Sequence, residues 1–350
     1  MNKLLKVFVA LVVSTVLGCS ALNAKELTPE LVKQVVTETA SIIREQYVLP
    51  ETGREVAIDL LARLESGGYD DVSGVNELSD LLTSHMRGVS NDAHISMFYT
   101  DPLVPTQEEF MNPSAEQKAA SLAEDRYFNF GIRSVGYLDG NVGYFDLKGF
   151  MDAVNSAEAL GTAMNMLKDT GGLVIDLREN YGGMPETVAL LASYFLGPQS
   201  IHVDSIYWKE TDTVEEFWTN PVLNGAWYGT ERPLVILTSA NTFSAAEAFT
   251  YAMQAFGRAE IVGETSLGGA NPGGIQHVAE TFNLFVPNGR AFSAVTGKNW
   301  EGVGVTPNYP VPADKALKEG HKLVLQKIIE QSQDGRAKQD RQMHLQRLSE

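Results

Sequence analysis

The sequence predicts an α/β protein, a layered domain of strands and helices preceded by a small helical bundle. Three observations carry this. Apolar residues recur at helical spacing between about 27 and 90. From about 128, short apolar strands alternate with helical patterns. Two of those strands, 172–177 and 234–238, are apolar runs of the kind a sheet buries.

The first helix is signalled by Thr28 as N-cap and Pro29 at the first helical position, ahead of Leu31, Val35 and Val36. Pro50 ends that pattern. Val56, Ile58, Leu60, Leu61 and Leu64 begin a second helix, which Gly67 and Gly68 stop, and 76–86 reads as a third. The stretch 101–125 is polar, with Pro102, Pro105 and Pro113, and reads as a linker too short to hold a further domain. Strands are then expected at 142–147, 172–177, 201–208, 234–238, 260–262 and 282–286, and helices at 153–168, 185–196 and 244–256. The tail after Asp314 reads as one charged helix. The resulting division is a leader at 1–24, a helical domain at 25–100, a linker at 101–127, an α/β domain at 128–312 and a C-terminal helix at 313–350.

Lys3 and Lys6 precede an apolar run at 7–17, too short to span a bilayer, which marks a secretory signal peptide. Val16-Leu17-Gly18-Cys19 has the form of a bacterial lipobox; the other cleavage point is after Ala24. Cys19 is the only cysteine of the chain, so no internal disulfide is possible. The 350 residues include 27 basic and 44 acidic side chains, a formal net charge of −17, which argues against a nucleic-acid groove as the main function. One cysteine and no paired histidine spacing give no metal site, and the glycine-rich stretches lack the Lys-Ser/Thr of a P-loop, so neither a metal nor a cofactor is expected.

The stretch Thr242-Phe243-Ser244-Ala245-Ala246-Glu247 follows a buried strand and opens a helix. A serine there lies where backbone N–H groups and the helix dipole favour negative charge. Ser-x-x-Glu is also a capping box, and a cap alone explains it. Gly182-Gly183 ends Asp176-Leu177-Arg178-Glu179-Asn180-Tyr181, and adjacent glycines at a strand end can turn their N–H groups toward a ligand or merely form a turn. Asp176 and Arg178 read as an ion pair or loop anchor. A third element, Gly263-Glu264-Thr265 followed by the glycine-rich 268–274, suggests close approach of a substrate or a flexible loop.

Taken together, DLRENYGG, LTSANTFSAAEAF, GRAEIVGETSLGGANPGG and VTGKNWEGVGVTPNYPVPAD resemble the tail-specific, or carboxyl-terminal processing, serine proteases. The resemblance runs over 128–312 and is strongest to the branch that includes the retinoid-binding protein modules and the core of tricorn protease. The helical segment before it resembles the small N-terminal domain of the same branch. The resemblance implies a layered crotonase/ClpP-like catalytic domain, Ser244 as nucleophile, and an oxyanion hole from Gly182 or Gly183 with the Ala245 N–H. The processing branch places a lysine base where this chain has Gly268-Gly269-Ala270, and it carries a PDZ domain that this chain lacks. The other branch uses a histidine and a late glutamate, which match His94 in Asp92-Ala93-His94-Ile95-Ser96 and Glu301 in Asn299-Trp300-Glu301-Gly302. Ala93 replaces the serine that some members place before the histidine. A structural role is the plain alternative for His94, and His277 is a competing base. A histidine base would titrate near its reference value of about 6.5.

The function implied is a serine-type endopeptidase acting, through an acyl-enzyme on Ser244, on peptides or protein tails in the bacterial cell envelope. The protein would be exported, as a periplasmic protein or an outer-membrane lipoprotein anchored through Cys19. The alternative is a non-proteolytic binding module for an apolar ligand on the same fold.

Overall fold

The computed structural model describes residues 27–333 and 335–350; the signal peptide, the lipobox at Cys19 and the cleavage point after Ala24 lie outside the described residues. The chain divides into two units. One takes in the residues up to Ala119 with Ile206–Glu215 and Asn271–Ala291; the other takes in Ala120–Ser205, Glu216–Ala270 and Phe292–Glu350.

In the first unit, helix α1 (Pro29–Gln46) begins where Thr28 Oγ1 accepts the Leu31 N–H at 3.2 Å, with Pro29 in the first turn. It buries Val32, Val35, Val36, Thr39, Ala40 and Ile43, a stripe at three- and four-residue spacing. Helix α2 (Pro50–Glu65) starts on a second proline, and α3 (Val75–Ser90) ends at Asn91 in the left-handed conformation, φ 53°. Asp92 and His94 lie between that turn and strand β1 (Ser96–Tyr99). The helices share a core with two strands from far along the chain: Ile43, Leu60 and Leu82 cluster with Val278 of one strand and with Phe282, Leu284 and Val286 of the other, all at most 1% exposed.

The strand expected at 282–286 therefore differs in placement from the sequence reading, which set it in the α/β domain. It forms β10 (Phe282–Pro287), antiparallel to β1 on one side and to β9 (Gly273–Val278) on the other. Alternating apolar residues specify that a strand has a buried face, but not which partner covers it. The stretch read as a linker also carries structure. Helix α4 (Gln107–Met111) is closed by a Thr106–Glu109 capping box, and α5 (Ala115–Tyr127) follows. Pro105 stands just before the Thr106 cap and Pro113 between the two helices, so these prolines flank helix ends.

The second unit is built on a six-stranded sheet of order β12-β8-β7-β4-β3-β2. Its strands are β2 (Ile132–Leu138), β3 (Val142–Leu147), β4 (Gly172–Asp176), β7 (Leu234–Thr238), β8 (Glu260–Gly263) and β12 (Tyr309–Pro310). From β3 to β12 the neighbours are parallel, and β2 is antiparallel to β3. Between them run α6 (Ala153–Leu167), α7 (Pro185–Leu196) and α8 (Ala245–Ala255). The tail, expected as one helix, is two: α9 (Ala313–Gln331) and α10 (Arg336–Ser349). Helix α9 packs Ala316, Val324, Leu325 and Ile328 against Val142, Val174, Val235, Leu237 and Val262 of the sheet. The remaining strands, β5 (His202–Trp208), β6 (Thr213–Trp218) and β11 (Gly289–Ser293), form a sheet of order β11-β5-β6.

The fold is thus mixed α/β with a helical N-terminal region. Because β4 and β7 are adjacent and parallel, with Asp176 opposite Leu237, the loops that leave their carboxyl ends are neighbours. One carries Gly182 and Gly183, the other Ser244. Among the described residues, no helix is long and apolar enough to cross a membrane.

Candidate active site

Ser244 stands at the junction of the β7 loop and α8 with φ 55° and ψ −120°. Few L-residues adopt that backbone, and holding it costs of order 1–3 kcal/mol. Helix N-caps normally sit in the extended region, where the hydroxyl can reach back to the third helical N–H. At Ser244 the two limbs of a capping box lie within reach, but only one is a hydrogen bond: Glu247 Oε2 accepts the Ser244 N–H at 2.9 Å, and the Ser244 hydroxyl makes no cap bond. The sharp strand-to-helix turn around a nucleophilic serine in α/β hydrolases has the same character.

The strained turn is held from the glycine loop as well. Asn180, completely buried, donates from Nδ2 to Leu147 O at 2.9 Å and accepts the Gly182 N–H on Oδ1 at 2.9 Å. Its carbonyl accepts the Phe243 N–H at 3.0 Å. Thr242 Oγ1 donates to Leu177 O at 2.9 Å. One residue thus ties both loops together, and nothing in its local sequence pattern singles it out.

Gly182 has φ 106°, and a Cβ there would lie 2.7 Å from Ser244 Cβ, 3.0 Å from Phe243 O and 3.1 Å from Ala245 N. Any side chain would press on the serine. Gly182→Ala is therefore expected to lower kcat/KM about 100-fold, the scale of a small misplacement of reacting groups. Steady-state kinetics on a folded variant check this, and a change under threefold would remove Gly182 from the site. Because the Gly182 N–H is engaged by Asn180, the Gly183 and Ala245 amides are the two of the three expected oxyanion donors without an acceptor among the described residues. Asp176 and Arg178 make the anticipated ion pair, at 2.6 Å, and Arg178 also donates to Ala313 O at 2.7 Å. Burial disfavours the Asp176 carboxylate, but this guanidinium holds its pKa below the usual range.

Glu301 Oε2 accepts the Ala270 N–H at 2.5 Å, so the glycine-rich loop fixes that carboxylate. His94 belongs to the other unit. It is 7% exposed, its backbone N–H donates to Asp92 Oδ1 at 2.9 Å, and its ring stacks on Phe285 with centroids 6.0 Å apart. Asp92 Oδ2 in turn accepts Tyr47 Oη and Asn271 Nδ2, each at 3.0 Å. Burial pushes the His94 imidazole down to about 4, opposed by Asp92 and assisted by Arg87. This departs from the titration near 6.5 expected from sequence: the ring is kept neutral by desolvation. His277 lies on β9 with Nε2 2.8 Å from Val104 O. A carbonyl only accepts, so that nitrogen carries the proton and is not a base.

A serine in a strained strand–helix turn, backed by a glycine pair on a parallel sheet, is an arrangement of the kind serine hydrolases use. The family model of peptidase family S41 matches residues 141–311, and that of the N-terminal domain of S41 peptidases in eukaryotic IRBP matches residues 23–127. The chain belongs to peptidase family S41. The carboxyl-terminal-processing protease of Synechocystis sp. is 33% identical over 130 residues, 37% of this chain and 28% of its own length, so the chain matches less than a third of that relative. Among solved structures, a peptidase from Parabacteroides merdae superposes with a TM-score of 0.57 at 18% identity, over 85% of this chain and 97% of its own. The tricorn protease superposes with a TM-score of 0.51 at 12% identity, over 92% of this chain and 37% of its own. These two likenesses are of fold.

Proposed function

We propose that this S41 family member is a serine endopeptidase acting on peptides or unstructured protein tails in the bacterial cell envelope. The observation that carries the reading is Ser244 itself: its backbone is strained, its hydroxyl is not used as a cap, and Gly182 leaves open the space beside it. A module that only binds an apolar ligand has no need of a serine held this way.

In the reaction, Ser244 Oγ attacks the scissile carbonyl carbon as His94, neutral at physiological pH, takes the hydroxyl proton. The Gly183 and Ala245 N–H groups stabilise the oxyanion. The imidazolium passes its proton to the leaving amine, and the ester left on Ser244 is hydrolysed by water. Glu301 is the third member, orienting the histidine and stabilising its charged form. The lysine base of the processing branch has no counterpart here, since Gly269 and Ala270 occupy that stretch and present backbone N–H groups to carboxylates. The test is hydrolysis of an unstructured protein such as casein, with covalent labelling of Ser244 by a fluorophosphonate.

We further propose that the protein is exported and anchored through a lipidated Cys19. Intact-mass measurement of the protein recovered from a bacterial envelope is expected to give a diacylglyceryl-modified chain starting at Cys19. An unmodified chain starting at Lys25 overturns the anchor.

A further inference from the structure

Glu247 is completely buried three residues after the nucleophile, and it does far more than close a helix turn. A capping-box glutamate needs one oxygen for one N–H. Glu247 uses both oxygens, each with two donors. Oε2 accepts Ser244 N at 2.9 Å and Gly269 N at 2.8 Å; Oε1 accepts Gly268 N at 2.7 Å and Ser266 Oγ at 2.5 Å. Three of these are amide N–H groups. The fourth, the Ser266 hydroxyl, already accepts the Val305 N–H at 2.7 Å, so its own proton points at Glu247. Every direction around the carboxyl is taken by a donor, which suits an ionised carboxylate although burial presses its pKa up to about 7.

Three of the four donors come from the turn at 266–269. That turn is stitched to the segment carrying Glu301: Trp300 Nε1 donates to Gly269 O at 2.7 Å, Gly302 N to Gly268 O at 2.9 Å, and Ala270 N to Glu301 Oε2 at 2.5 Å. Leu267 N donates back to Thr242 O at 3.0 Å, in the loop that ends on Ser244.

We propose that Glu247 is a positioning residue, a buried carboxylate clamp that fixes the Ser244 backbone and the 266–270 turn to each other and so sets the relative place of Ser244 and Glu301. The proposal rests on Ser244 being the nucleophile. Glu247 touches no reacting atom. It acts through the Ser244 N–H on one side and through Gly268, Gly269 and their neighbour Ala270 on the other. In this chain the turn holds no lysine, so it supplies N–H groups to two carboxylates, and their spacing depends on the clamp.

Glu247→Gln is the decisive variant. Its amide nitrogen must face either the Ser244 and Gly269 N–H groups or the Gly268 N–H, a donor against a donor in both orientations. Sites are counted by fluorophosphonate labelling run to completion, and kcat and KM for labelled casein are expressed per labelled site. The expected result is a fall of about 100-fold in per-site kcat with KM within threefold. A residue that merely stabilises the fold lowers the number of sites or the melting temperature and leaves per-site kcat alone, and that outcome overturns the proposal. If Glu247→Gln yields no labelled sites, Ser266→Ala decides: it removes one donor and keeps the carboxylate, and per-site kcat is expected to fall roughly tenfold, whereas an unchanged value overturns the clamp. A parent protein that neither cleaves casein nor labels at Ser244 sinks the nucleophile assignment and the clamp with it. A parent that does both, beside an unaltered Glu247→Gln, sinks the clamp alone.

Discussion

Ser244→Ala is expected to abolish peptide hydrolysis, lowering kcat by about a million-fold, the scale seen when the nucleophile of a serine triad is removed. The fold should be untouched. Alanine meets the same backbone restriction at φ 55° that serine does, and the hydroxyl makes no cap bond whose loss would be felt. The Glu247 bond is to the Ser244 N–H, which the variant keeps. The melting temperature is therefore expected to move by no more than a surface substitution moves it, about 0.5 kcal/mol in unfolding free energy. A variant that cleaves casein at the parental rate means that Ser244 only starts a helix. A variant that loses activity and also melts several degrees lower means that its hydroxyl is structural.

His94→Ala is expected to lower kcat at least about ten-thousand-fold, because removing the base of a triad leaves only oxyanion stabilisation and binding. The pH dependence separates this from a merely structural histidine. The base must be neutral, and burial has moved its pKa down to about 4, so kcat/KM of the parent should rise through about pH 4 and be flat by pH 6, well below the ordinary histidine range. Stability follows with a definite sign. The folded imidazole binds its proton more weakly than the unfolded one, so its contribution is present in full above about 6.5 and is lost as pH falls toward about 4, at most about 3 kcal/mol. Urea unfolding at pH 7.5 and pH 4.5 measures that loss, which His94→Ala should reduce. An activity profile with its acid limb at 6.5 excludes the buried ring described here as the base.

What could be foreseen follows from what is local. The helix start at Thr28-Pro29, the buried run 234–238 and the glycine pair at 182–183 are short-range signals, and each lies where its chemistry puts it. Ser244 was visible for the same reason, as a serine between a strand and a helix. The rest is non-local. The pairing of β1 with β10 joins stretches that look equally suited to many partners. Asn180 and Ser266 matter through bonds to loops distant in sequence, and an asparagine or serine in a polar loop carries no mark of that. Glu247 looked like half of a cap because three residues of sequence cannot show the glycine-rich turn that supplies its other donors. The downward shift of His94 was hidden because its cause is burial beside Phe285, a residue of β10.

The late arrival of β9 and β10 in the helical unit has a consequence for biosynthesis. The N-terminal helices are made first, yet the strands that complete their core are translated only after more than 150 further residues have been added to Ala119. At elongation rates of about 5–20 residues per second that delay is on the order of ten seconds or more. During it the faces carrying Val36, Ile43 and Leu82 lack Phe282 and Leu284, and the nascent segment remains sticky and accessible to holding factors. Fragments that stop near Ala119 should for this reason aggregate when expressed alone, while the same residues within the full chain are closed over by a hairpin from near its far end.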